Sequence, residues 1–211
     1  MTFRPLRALA LALTLPLALG GCGALSAIGG ATEALEIYEV STPRDLPVRQ
    51  GAPQARDVII EVPTTGGALA TDRIMVRPEP LKAQYLPGVR WSEEAPVMLQ
   101  TVMLRALERT GAFQYVGRRP LGPGGDFAIV TELVDFQAVL LPEAAGARIE
   151  VRMISRLVRE QGVRIVASRT FAAEEITTSL DDADIAAAFD AATGRMISDF
   201  TVWTLGALGA L

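Results

Sequence analysis

The sequence predicts an α+β fold, a mostly antiparallel sheet with two helices packed on one face. Three observations carry this expectation. Apolar and charged residues alternate from Arg148 to Leu157, the period of a strand with one buried face. Two other segments, Ala95 to Thr110 and Asp182 to Leu205, carry apolar residues at spacings of three and four, the period of an amphipathic helix. The order of these patterns is strands, helix, strands, helix, which segregates the helices from the sheet.

Taken along the chain, Ala34 to Val40 reads as a first strand with Ile37, Tyr38 and Val40, followed by a Pro-containing loop from Ser41 to Asp57. Val58 to Val62 is an apolar, β-branched run ended by Pro63, which predicts a buried strand. Asp72 to Val76 and Lys82 to Leu86 pair across the Pro78 and Pro80 bend. The helix over Ala95 to Thr110 exposes Thr101, Arg105, Glu108 and Arg109 and stops at Gly111, with Phe113 to Val116 as the next strand. Phe127 to Leu141 is a long strand-like run. Ile149, Val151, Met153 and Leu157 form the buried face of the next strand, opposite Arg148, Glu150, Arg152 and Arg156. Glu160, Gln161 and Gly162 make a turn into a third strand, Val163 to Glu175, whose Val163, Ile165, Ala167 and Phe171 continue the buried face. The closing helix runs its apolar stripe through Ile185, Phe189, Ala192, Met196, Phe200 and Trp203, and its charges exclude a membrane span.

Of 211 residues, half are apolar and 21% are charged, with a formal net charge of −4, so the body is neither a disordered tail nor a basic nucleic-acid surface. Histidine is absent, which removes histidine-dependent triads, thiol–imidazole pairs and imidazole-ligated zinc. No Walker loop, dinucleotide fingerprint or metal-binding spacing is present. An enzyme is therefore disfavoured and no cofactor is expected. Asp181, Asp182 and Asp184 form the densest acidic cluster, where the closing helix begins. They read as an N-cap with favourable charge at the positive end of the helix dipole, against a carboxylate-only catalytic or metal role.

Cys22 is the only cysteine. Before it, Arg4 and Arg7 supply positive charge and Ala8 to Leu19 is an apolar stretch too short to span a bilayer, the parts of a secretory signal. Leu19, Gly20, Gly21 and Cys22 resemble the bacterial lipobox, which implies a lipidated thiol. The alternative is an ordinary signal peptide cut near Ala18 to Gly20 that leaves a free thiol. The expected organisation is a cleaved signal over 1–21, a lipidated cysteine and flexible tether over 22–33, and one domain over 34–211. The Gly-, Ala- and Ser-rich stretch Gly23 to Thr32 reaches about 33 Å at full extension.

A lipobox, a Tyr-containing first strand, a Val-rich strand ended by Pro, a Tyr85 strand leading through Arg90 and Trp91 to Pro96, and a helix with Phe113 beyond it resemble the ABC-type transport auxiliary lipoproteins. The paraquat-inducible C-type lipoproteins belong to that family. In the Tyr85 to Pro96 stretch, Ser92 takes a position usually held by another small residue, and Glu93 and Glu94 precede Ala95 and Pro96. The resemblance implies a fold similar to the TolB N-terminal domain. It also implies a periplasm-facing lipoprotein working with an MCE-domain protein, its ABC permease and its ATPase. Gly23 lacks the aspartate that retains lipoproteins at the inner membrane, so an outer-membrane anchor is expected, with the inner membrane as the alternative.

Three function classes follow: a non-enzymatic subunit of a lipid transporter, with homo-oligomerisation to match its partner's symmetry; an envelope-assembly scaffold of Tol-like or lipopolysaccharide-assembly type; and a lipid carrier. The carrier predicts a ligand-sized pocket lined by residues such as Phe127, Val151 and Phe189, whereas a scaffold predicts a filled core. Tyr85, Arg90 and Trp91 are candidate partner-binding residues, because exposed Trp, Tyr and Arg anchor interfaces. The alternative is that Trp91 plugs the core and Arg90 stacks on it or caps a carbonyl. The uncharged end, Val202 to Leu211, reads either as a last helical turn with a tail on the sheet or as an exposed apolar end for a groove or lipid.

Overall fold

The structure, a computed structural model, describes residues 35–141 and 145–211. The predicted signal, Cys22 and the tether lie outside the described residues. The elements are β1 (Glu36–Tyr38), β2 (Gln54–Ile60), β3 (Thr64–Thr65), β4 (Met75–Glu79), β5 (Lys82–Tyr85), β6 (Val89–Trp91), α1 (Ala95–Arg109), β7 (Phe113–Gly117), β8 (Phe127–Leu141), β9 (Gly146–Arg159), β10 (Arg164–Thr177) and α2 (Asp182–Ala207).

The fold is α+β, with two helices against a curled sheet of order β10-β9-β8-β2-β7. β8, β9 and β10 form the expected antiparallel meander. The other half corrects the expectation of a mostly antiparallel sheet, which is mixed. The free edge of β8 is lined in succession by β2, β3 and β4, all parallel to it. β7 is parallel to β2 on that strand's other side. Stagger makes this possible over short connections, because β7 pairs with β2 up to Ile59, and β8 starts opposite Val58. Strand direction depends on such crossovers and leaves no trace in local periodicity. β4 and β5 pair antiparallel across the Pro78 and Pro80 bend, and β1 pairs parallel with β6 in a separate two-stranded sheet.

The alternation in β9 places Ile149, Val151, Met153 and Leu157 in the core with Ala147 and Ser155. The buried Thr131 and Ser155 hydroxyls satisfy each other at 2.9 Å across β8 and β9. On β10 the expected buried face fails at its start. Val163 and Ile165 are exposed, whereas Phe171 is buried. A bulge between Ile165 and Ala167 breaks the register there, and α2 meets the strand farther along, where Phe200 packs edge-on against Phe171. Val62, expected at the end of a buried strand, is also half exposed, since β2 stops at Ile60.

α1 begins at Ala95 with Pro96 in its first turn, where the missing N–H costs nothing. It ends at Gly111, whose φ of +60° only glycine adopts without strain. α2 carries Ile185, Phe189, Ala192, Met196 and Phe200 into the core, with Trp203 half-buried beside Phe171. α1 and α2 touch each other, α2 covering β9 and β10 while α1 sits over β2 and β7.

Candidate functional site

The segment from Tyr85 to Pro96 forms a corner between β5, β6 and α1. Trp91 ends β6 and is 1% exposed. Its indole packs against Phe136 of β8 at 5.5 Å and, edge-on, against Phe189 of α2 at 5.2 Å; those two rings lie 4.9 Å apart. This three-ring cluster ties sheet, corner and long helix together, and it is the core-plug geometry for Trp91. The backbone pins the corner as well: Trp91 N–H donates to the Asp72 carbonyl at 2.7 Å, and Ser92 N–H to the Tyr38 carbonyl at 2.9 Å.

Arg90 points the other way, as strand alternation requires, and makes an exposed ion pair with Asp72 at 3.2 Å. Tyr85 is half-buried; its hydroxyl donates to the Ala68 carbonyl at 3.0 Å, and the Arg73 guanidinium lies 4.3 Å from its ring centroid. Of the three sequence-predicted contact residues, Arg90 and Tyr85 thus flank one surface, while the Trp91 ring lies beneath it.

The acidic cluster stands at the start of α2. Asp181 occupies the N-cap position without a side-chain cap bond, and its carbonyl accepts the Ile185 N–H at 3.0 Å. Burial raises the Asp182 pKa above the usual aspartate value, with Glu36 and then Asp181 adding repulsion. The Tyr38 hydroxyl donates to Glu36 at 2.7 Å, and this bond, ahead of burial and the charges of Glu36 and Asp182, raises the tyrosine pKa. Among the described residues no group of three or more acidic, Cys or His side chains is arranged to hold a metal ion.

The residues named for a carrier pocket do not line one together. Val151 and Phe189 are 1% and 0% exposed within the continuous core. A cavity of about 640 Å³ is an open groove elsewhere, lined by Ala128, Val130 and Val158 and by the glycine-rich loop at Gly124 and Gly125.

Sequence reasoning missed two devices. Gln100 of α1 is buried and donates to the Ile60 carbonyl at 2.7 Å, locking α1 to the end of β2. The apolar end closes with Gly209 at φ +60°; Ala210 N–H donates to the Leu205 carbonyl at 2.7 Å and Gly209 N–H to that of Gly206 at 3.1 Å. This is a Schellman cap, and the spacing of Gly209 after the helix was its available signal. Arg49, Gln54 and Arg56 donate to the carbonyls of Ala210, Gly209 and Leu208. Leu205, Leu208 and Ala210 are buried and Leu211 is exposed, so the tail is packed on the fold.

Residues 38–199, from the end of β1 well into α2, match the family described as ABC-type transport auxiliary lipoprotein component. The chain belongs to that family. The matched region of this auxiliary-lipoprotein domain contains the whole Tyr85 to Pro96 corner and all three rings of the Trp91 cluster. A crystal structure of a Xanthomonas campestris protein is similar, with a TM-score of 0.71 and 25% identity, covering 82% of this chain and 96% of that one. A second solved structure, of an uncharacterized protein, shares the fold at a TM-score of 0.57 and 11% identity, covering 76% and 99%. In sequence, the chain is 27% identical over 185 residues to an uncharacterized protein of Bradyrhizobium diazoefficiens, covering 84% of this chain. It spans 47% of that relative's length. The family links this domain, as an auxiliary lipoprotein component, to ABC-type transport.

Proposed function

We propose that the domain is a non-enzymatic, membrane-anchored subunit of an MCE-type lipid transport system that supports lipid trafficking between inner and outer membranes and envelope integrity. The family match over 38–199 carries the reading. The filled aromatic core supports an accessory subunit over a carrier that encloses lipid. In this reading Cys22 bears the lipid, several acyl chains on one residue hold the domain stably to the outer membrane, and the body faces the periplasm. Its partners are an MCE-domain protein with its ABC permease and ATPase, met in a homo-oligomer or singly. The surface flanked by Tyr85 and Arg90 docks the partner, and Trp91 sets its shape from below.

The test is capture of the natively lipidated protein from detergent-solubilised envelopes beside a Cys22→Ala control, read by mass spectrometry. Recovery of an MCE protein with permease and ATPase is the expected result. Recovery of Tol or lipopolysaccharide-assembly components instead overturns the transport reading and leaves a scaffold on the same fold. In the same assay Arg90→Glu, folded, is expected to reduce capture; undiminished capture removes the proposed docking surface.

A further inference from the structure

Beside the Trp91 corner, at Ser92 and Glu93, lies a second, more enclosed cleft of about 360 Å³, within the range of small-ligand sites. Its lining is mostly polar, and its charges come in two pairs. Glu39 follows β1 and Glu93 precedes α1; Arg105 projects from α1 and Arg118 follows β7. Beneath them Val40, Met98 and Val102 are buried and belong to the core. Two carboxylates and two guanidiniums around one cavity ordinarily neutralise each other. Here none of the four makes an ion pair among the described residues. Thr101 stands between them instead: Arg118 donates to its hydroxyl at 2.6 Å, and that hydroxyl lies 3.4 Å from Glu93. Residues at β1, α1 and β7 thus hold both signs of charge around one polar cavity without direct pairing.

Such a cleft is complementary to a ligand that carries both charges itself. A lone anion meets Glu39 and Glu93, and a lone cation meets Arg105 and Arg118, so each is opposed. We propose that the cleft binds a compact zwitterion of the phosphoethanolamine type, with the phosphate on Arg105 and Arg118 and the primary ammonium on Glu39 and Glu93. Guanidinium groups offer forked donors to phosphate oxygens, and an ammonium gives three N–H donors to carboxylates and hydroxyls. A quaternary ammonium lacks those donors, so the cleft discriminates between primary and methylated amines. The ligand is a lipid headgroup or a free phosphoethanolamine compound. The assignment rests on the chemistry of the cleft and not on the transport reading.

The test is calorimetric titration of the full natively processed chain in maltoside micelles. The probes are glycerophosphoethanolamine, glycerophosphocholine, glycerophosphoglycerol, inorganic phosphate and ethanolamine. Saturable binding of glycerophosphoethanolamine, about tenfold tighter than of any other probe, is expected from the lost charge-assisted hydrogen bonds. Glu39→Gln with Glu93→Gln, and separately Arg105→Gln with Arg118→Gln, should each weaken it about tenfold or more. All four side chains are exposed, so unchanged thermal unfolding is expected and reports intact folding. Comparable binding of glycerophosphoglycerol, absence of saturable binding, or wild-type affinity in either folded double variant overturns the proposal. Competition by micelles doped with phosphatidylethanolamine supports the cleft with a lipid as the source; soluble binding without that competition supports it with a free zwitterion. A negative titration leaves the capture experiment unaffected, so the two proposals fail separately.

Discussion

Replacing Trp91 by alanine should cost about 4 kcal/mol of folding stability. The indole is 1% exposed, and its rings meet Phe136 and Phe189 at 5.5 and 5.2 Å. A buried Trp removes about 200 Å² from water, worth about 5 kcal/mol at roughly 25 cal/mol per Å². Each aromatic contact adds about 0.5–1.5 kcal/mol, while alanine keeps some burial and the site partly collapses; Trp→Ala losses in cores accordingly run at about 3–5 kcal/mol. In a domain of this size that loss lowers the melting temperature by about 8–16 °C, at about 2–4 °C per kcal/mol. Arg90→Ala is the matched control, since its ion pair with Asp72 is exposed on both sides and contributes less than about 1 kcal/mol. Urea unfolding of both variants reads the contrast directly. If Trp91→Ala loses under about 1 kcal/mol, the plug argument fails, because a truncation of this size in a packed core exceeds that bound.

Gln100→Ala should destabilise by about 1–3 kcal/mol, because the Ile60 carbonyl loses its buried donor; the urea midpoint checks this. Gly209→Ala should cost about 1–2 kcal/mol, since a Cβ is disfavoured at φ +60°, and thermal unfolding reads the loss of the α2 cap. The Asp182 pKa is raised, so the folded state takes up a proton that the unfolded chain still lacks. Its penalty is fully present above the folded pKa and is relieved as pH falls through that pKa toward the ordinary aspartate value. Asp182→Asn should therefore stabilise at neutral pH, with a gain that shrinks on acidification. A gain independent of pH sinks the assignment of the shift to burial and to the charges of Glu36 and Asp181.

The long elements were legible because their periods are local facts. β9 alternates from Arg148 to Leu157, and α2 repeats from Ile185 to Phe200 at three and four, and each buries the face its pattern demands. Val163 and Ile165 extend the pattern on β10 but stand in water, since burial also needs a partner layer, and α2 packs on the strand beyond the bulge. At the candidate corner the order Arg90, Trp91 gave opposite sides of a strand, but which side faced inward was settled by Phe136 and Phe189, 45 and 98 positions along the chain. The cleft between Glu39, Glu93, Arg105 and Arg118 had no signature at all, because its charges come from separate segments at β1, α1 and β7.

By itself, the sequence determined the α+β class, the two helices, the meander and the corner that carries the family resemblance, all set by residues within a turn or a strand of one another. Only the tertiary structure decided the parallel stacking of β2, β3 and β4 along β8, the burial of Trp91, the docking of the apolar tail by Arg49, Gln54 and Arg56, and the gathering of charges around the cleft. Those depend on contacts between distant segments, whose direction and partners are fixed when the layers pack together.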